Sequence, residues 1–168
     1  SILGKNDSLR SRWKDVYARL TDFLSDPDEG WMIGRNRPYD MSHRHYSHLL
    51  MAYPLYLVNR DQLGGKEMIV KSVNHWQSIK GALERYSRTG AASLYASVGE
   101  GDKALAYLEE FMQKSMQPNT CYQEGGNPVI ETPLSAARAL LDMALQSWGG
   151  KIRIFPAIPG IWRDFAFD

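Results

Sequence analysis

Thr132-Pro133-Leu134-Ser135-Ala136-Ala137-Arg138-Ala139-Leu140-Leu141-Asp142-Met143-Ala144-Leu145-Gln146-Ser147-Trp148-Gly149-Gly150 reads as the plainest helix in the chain. Thr132 is suited to the N-cap and Pro133 to the first helical position. Leu134, Ala137, Leu140, Leu141, Ala144, Leu145 and Trp148 recur at helical spacing and predict one apolar stripe. Gly149 and Gly150 end it. Past them, Ile152 to Phe155 and Phe165 to Phe167 alternate as the strands of a β-hairpin leaving the helical region.

Working back from that helix, the same periodicity predicts five more. One starts near Ser8 and ends near Leu24, with Leu9, Trp13, Val16, Tyr17 and Leu20 inward. Another runs from Ser42 or His43 through Leu49 and Ala52 to a break at Pro54. A third spans about 66–79, with Met68, Ile69, Val73 and Trp76 as its inner face. A fourth covers about 86–98, its Gly90-Ala91-Ala92-Ser93 allowing close helix contact, and Gly99 ends it. A fifth follows Gly101, capped by Asp102. The fold class is therefore mainly α. Tandem helices joined by long irregular connections suit an α/α toroid, or a helical-repeat scaffold.

Composition narrows the function classes. The 168 residues are 43% hydrophobic and 23% charged, with a formal net charge of +1. That balance gives no reason to expect a nucleic-acid partner or an anionic membrane surface. No apolar run approaches the roughly 20 residues that span a bilayer. One cysteine, Cys121, excludes an intrachain disulfide and a cysteine-based zinc cluster. No phosphate-binding loop, dinucleotide fingerprint or nucleophile elbow is present, and no cofactor is implied.

Two stretches concentrate groups that do chemistry. His43-Arg44-His45-Tyr46-Ser47-His48 holds three of the four histidines beside an arginine. A metal would need three imidazoles to converge, whereas on a regular helix His43 points away from His45 and His48, and Asp28 and Asp40 lack ligand spacing. Two readings remain: histidines bonded to backbone with Arg44 in an ion pair, or His and Arg donors that grip sugar hydroxyls. The second stretch is Tyr122-Gln123-Glu124-Gly125-Gly126-Asn127-Pro128-Val129-Ile130-Glu131. Glu131 precedes the predicted cap, and a helix N-terminus stabilises an anion, the form a general base requires. An acid there also simply supports the helix. Glu124 is either its partner or a solvated side chain. Trp31, in the loop before the histidines, is the aromatic best placed to face a ligand; Trp76 and Trp148 lie in apolar stripes.

These stretches resemble glycoside hydrolase family 95, the inverting α-L-fucosidases and their relatives. His43-Arg44-His45-Tyr46-Ser47-His48-Leu49 with Tyr53-Pro54 is similar to that family's H-R-H-x-S-H-L segment and the Y/F-P after it. Leu145-Gln146-Ser147 and Gly150-Lys151-Ile152-Arg153-Ile154-Phe155-Pro156-Ala157-Ile158-Pro159 are similar to its closing helix and first strand. Ile130-Glu131 stands where the family has Ile-Asp, and Thr132-Pro133 where it has Gly-Asn.

The resemblance implies an incomplete (α/α)6 toroid over residues 1–150, and the start of a C-terminal β region over 151–168. It implies a carbohydrate substrate, Glu131 as the water-activating base, and Arg44 and His45 toward the sugar; Glu124 and Trp31 join them as substrate-binding candidates from their own places in the chain. It places the proton-donating acid upstream of this sequence, so the chain alone is expected to be an inactive fragment that associates through exposed apolar faces. The family's setting suggests an extracellular or periplasmic location. The contrasting expectation is a non-catalytic helical-repeat scaffold. Gly101-Asp102-Lys103-Ala104-Leu105 with Leu108 resembles a tetratricopeptide helix, but a repeat of about 34 residues is not found.

Overall fold

A computed structural model describes residues 7–164 and 166. Among them are five α-helices, α1 (Arg10–Ala18), α2 (Gly65–Ser78), α3 (Arg85–Ser97), α4 (Gly101–Ser115) and α5 (Glu131–Ala144). Three short antiparallel hairpins punctuate them: β1 (Ser25–Asp26) with β2 (Gly30–Trp31), β3 (Gln123–Glu124) with β4 (Asn127–Pro128), and β5 (Leu145–Trp148) with β6 (Lys151–Ile154). The chain is mainly helical, as its periodicity predicts. No helix among the described residues is long and apolar enough to cross a membrane.

α3 is the centre. Thr89 through Ser97 are buried without interruption, because α2, α4 and α5 all pack on it. Its small residues are what permit this. A Cβ on Gly90 would stand 2.5 Å from Cε1 of the Tyr46 ring, so only a bare Cα lets that ring lie on the helix. α3 opens with a capping box: Glu84 and Ser87 satisfy each other's backbone N–H. α2 contributes Ile69, Val73 and Trp76 to the core, at the spacing of one helical face.

Several sequence expectations are corrected here. The segment from Ser42 to Ala52 is not a helix. Only a 3-10 turn, Ser47–Leu49, forms there, because the backbone of residues 43–44 is claimed by other elements. Trp76 Nε1 donates to the His43 carbonyl at 2.9 Å and Ser87 Oγ to the Arg44 carbonyl at 2.9 Å. α1 is shorter than predicted, and none of its residues is buried. Asp102 is not a cap but lies in the first turn of α4, where its Oδ1 accepts the Gly160 N–H at 2.8 Å.

α5 departs most. It begins at Glu131, with Ile130 in the cap position and no side-chain cap bond. Thr132 is therefore inside the helix, and its Oγ1 is buried with no hydrogen-bond partner. The buried face is Thr132, Ala139, Asp142 and Met143, while Leu134, Leu140, Leu141 and Leu145 of the predicted stripe are 41% to 61% exposed. A polar network turns the helix this way. Tyr53 donates to Asp142 Oδ2 at 2.6 Å and Arg138 Nη2 lies 2.8 Å from Oδ1; burial nevertheless pushes the Asp142 carboxyl above its ordinary range.

The helix also stops four residues early. Leu145–Trp148 is a strand paired with Lys151–Ile154. Gly149 and Gly150, with φ of 61° and 71°, form the tight turn between them. The hairpin thus straddles residue 150, and Trp148 stacks on Tyr56 at 4.8 Å rather than continuing a helical stripe. Gln146 Nε2 bonds the Ala96 and Asp142 carbonyls at 2.7 and 2.9 Å, tying the hairpin to α3 and α5. The predicted partner strand from Phe165 to Phe167 lies outside the described residues, apart from Ala166.

Candidate functional site

The site forms where the segment after residue 42 passes the starts of α3 and α5. Its backbone is held from two sides, by Trp76 of α2 and Ser87 of α3. Arg44 then projects a guanidinium whose three nitrogens each have a different partner. Nε donates to His45 Nε2 at 2.8 Å. Nη1 donates to Glu124 Oε1. Nη2 donates to Glu131 Oε1 at 3.0 Å. A planar fork with several N–H groups can hold three acceptors in one plane, which a lysine cannot do.

The two carboxylates arrive by different routes. Glu131 is the first residue of α5, where a carboxylate meets the unpaired N–H groups of the helix start. Its side chain is 50% exposed, and its second oxygen takes no hydrogen bond from the described residues. Glu124 ends strand β3 and is more enclosed, at 17% exposure. Its Oε2 accepts from the Tyr122 hydroxyl at 3.2 Å. Desolvation, and then the charge of Glu124, pushes the Tyr122 hydroxyl up to about 12, so it stays a donor.

His45 is neutral. Burial lowers its pKa, and the Arg44 charge and His43 lower it further, outweighing Glu131 and Glu124. Because Nε2 accepts from Arg44, Nδ1 carries the proton and is available as a donor. The Tyr86 ring stands 4.9 Å from the imidazole, centre to centre, and is itself stacked on Tyr46.

Four of the five residues singled out from sequence therefore meet: Arg44, His45, Glu124 and Glu131. Trp31 does not join them. It is 6% exposed in the core, with its backbone N–H bonded to Ser72 Oγ of α2 at 3.0 Å. It belongs to a strand that packs on α2, and its ring is not presented to solvent. The other histidines also separate. His48 stacks on Tyr39 at 4.0 Å, and His75 Nε2 lies 2.6 Å from the Tyr39 carbonyl. Among the described residues, no group of three or more His, Cys, Asp or Glu side chains is placed to hold a metal ion.

Sequence reasoning missed Tyr86, Ser87 and Tyr122. Tyr122 had a signal, since strand alternation puts it on the same face as Glu124. Ser87 had one too, three residues after Glu84 at a helix start. Tyr86 had none, because its role depends on where the 43–46 segment crosses α3.

One guanidinium joining two carboxylates beside a neutral imidazole can orient a water, accept its proton on the free Glu131 oxygen, and donate to a neutral hydroxyl. With one cation and two anions, it disfavours an anionic ligand. No protein-family model matches the chain, and no curated protein matches it.

Proposed function

We propose that this chain carries the water-activating side of a glycoside hydrolase site, of the inverting α-L-fucosidase-like kind, within part of an (α/α)6 toroid. What supports the reading most is the 3.0 Å contact between Arg44 Nη2 and Glu131 Oε1. The resemblance expects these two residues in one sugar pocket, although they lie 87 positions apart.

The geometry supports the following roles. Arg44 holds Glu131 by one oxygen, leaving Oε2 to take a proton from water as the water oxygen attacks the anomeric carbon. His45 Nδ1–H and the remaining guanidinium N–H groups donate to sugar hydroxyls. Glu124, fixed by Arg44 and Tyr122, completes the wall. The leaving oxygen must be protonated by an acid that none of these residues supplies. An inverting mechanism sets that acid about 6.5–9.5 Å from the base, with water between them.

An α-L-fucosyl fluoride tests this on the chain as it exists, because fluoride leaves with little acid assistance. Slow hydrolysis giving first the β-anomer is expected, and Glu131→Gln should reduce it by about 10²-fold or more, the usual contribution of a general base. Imidazole and guanidinium NMR signals of His45 and Arg44 should shift on titration with L-fucose. A folded chain that shows neither turnover nor those shifts in the millimolar range rules the reading out.

A further inference from the structure

Arginine keeps its protons in a folded protein. The 2.8 Å contact between Arg44 Nε and His45 Nε2 is therefore one in which the guanidinium donates and the ring nitrogen offers its lone pair. Nδ1 then carries the single proton of the neutral ring. A second proton has only Nε2 to go to, and Nε2 is occupied. Adding it would set two N–H groups and two positive charges against each other, so the contact must break.

His43, on the same segment, is built differently. Its Nδ1 also accepts, from the His45 backbone N–H at 3.0 Å, but the His45 carbonyl stands 3.4 Å from the same nitrogen. On protonation His43 can turn donor to that carbonyl almost in place. No second partner for His45 Nε2 is found among the described residues. His45 faces Arg44 and His43 from its own segment, Tyr86 from α3, Glu124 from β3 and Glu131 from α5. Of these, the carboxylates attract an imidazolium. Glu124 is held twice, by Arg44 Nη1 and by the Tyr122 hydroxyl. Glu131 is held by Arg44 Nη2 alone among the described residues, and its side chain is half exposed. Glu131 is therefore the one that can change partner.

We propose that His45 is a proton-operated latch on the Arg44 guanidinium. With the ring neutral, Nε2 fixes the fork so that Nη1 reaches Glu124 and Nη2 reaches Glu131. A proton taken from solvent onto Nε2 breaks the N–H···N bond, and the new Nε2–H takes the Glu131 carboxylate from Nη2. Arg44 stays on Glu124, and no covalent bond between heavy atoms changes. The inference deepens the saccharide reading and rests on it only for its consequence. A carboxylate capped by an imidazolium is a weaker base, so turnover falls as the pH drops through the His45 midpoint. Desolvation, and then the Arg44 charge, hold that midpoint below the ordinary imidazole value, so the site stays latched open at neutral pH.

An NMR titration of the whole nitrogen-labelled chain reads the latch without a sugar. A scalar coupling across the hydrogen bond, between Arg44 Nε and His45 Nε2, should be present while the ring is neutral. It should vanish with the midpoint of the imidazole signals, and the Glu131 carboxyl carbon should shift at that same pH. Glu131→Gln removes the carboxylate that receives the imidazolium, and should lower the His45 midpoint by about one pH unit or more. His45→Gln offers an acceptor that does not titrate, and should abolish the Glu131 shift at that pH; the first two measurements decide the matter even where this variant fails to fold. A coupling absent at neutral pH, or one that persists after the ring is charged, overturns the proposal. So does a His45 midpoint indifferent to Glu131→Gln. A chain that shows the coupling and its loss but hydrolyses no fucosyl fluoride upholds the latch and strikes the saccharide reading. Turnover that ignores the His45 midpoint strikes the latch and leaves that reading standing.

Discussion

Arg44 Nη2 donates to Glu131 Oε1 at 3.0 Å, while its other terminal nitrogen binds the more enclosed Glu124. The two ion pairs therefore differ in weight. Glu131 is half exposed, and such a pair contributes within about 1 kcal/mol. Glu124 has lost most of its water, so leaving Arg44 and Tyr122 without it costs about 1–3 kcal/mol. Urea unfolding should accordingly show Glu124→Gln clearly less stable than Glu131→Gln. Arg44→Met should also raise the His45 pKa, because the Arg44 charge is, after desolvation, the largest cause that lowers it. An imidazole titration by NMR checks this.

Gly90 lies under the Tyr46 ring, and a methyl there would meet Cε1 at 2.5 Å and Cδ1 at 2.7 Å. Alanine gains about 0.5–1 kcal/mol of helix propensity over glycine. Overpacking a buried ring costs about 1–3 kcal/mol. The second effect is larger, so Gly90→Ala should lower the unfolding midpoint. It should also shift the NMR signals of His45, which shares the Tyr86–Tyr46 stack.

His48 gives the fold an acid sensitivity. Burial lowers its pKa from 6.5 to about 4, and its Nδ1 has no hydrogen-bond partner. Between those two values the unfolded chain binds a proton that the folded chain refuses, so stability falls as pH falls. The loss approaches about 3 kcal/mol by pH 4. His48→Phe keeps a ring against Tyr39 and removes the titrating group. Its unfolding free energy should be flatter over this window, and an unchanged pH profile would refute the assignment.

Thr132 separates two views of the same helix start. As an N-cap, its replacement by valine would cost about 1 kcal/mol. With Oγ1 buried and unpartnered inside α5, replacement by an isosteric apolar side chain relieves a desolvated hydroxyl. Thr132→Val should leave stability unchanged or raise it by up to about 1 kcal/mol, measured by thermal or urea unfolding.

Local pattern determined a good deal here. The bounds of α2 and α3, and the start of α4, were legible to within a residue or two, because Ile69, Val73 and Trp76 repeat as a helix repeats and Gly99 stops one. The residues that meet at the site were legible as well, since histidine, arginine and glutamate clusters are rare enough to notice. Only the tertiary structure decided which face of α5 is buried, that Ser42 to Ala52 is not a helix, and that Trp31 belongs to the core. In each case a bond between distant segments outweighs local preference. The Tyr53–Asp142 contact turns α5 against its own leucine stripe, the donors of Trp76 and Ser87 take carbonyls that a helix would have used, and Ser72 fixes the strand that carries Trp31. Periodicity reports the free energy of neighbours along the chain; it carries no term for a partner dozens of residues away.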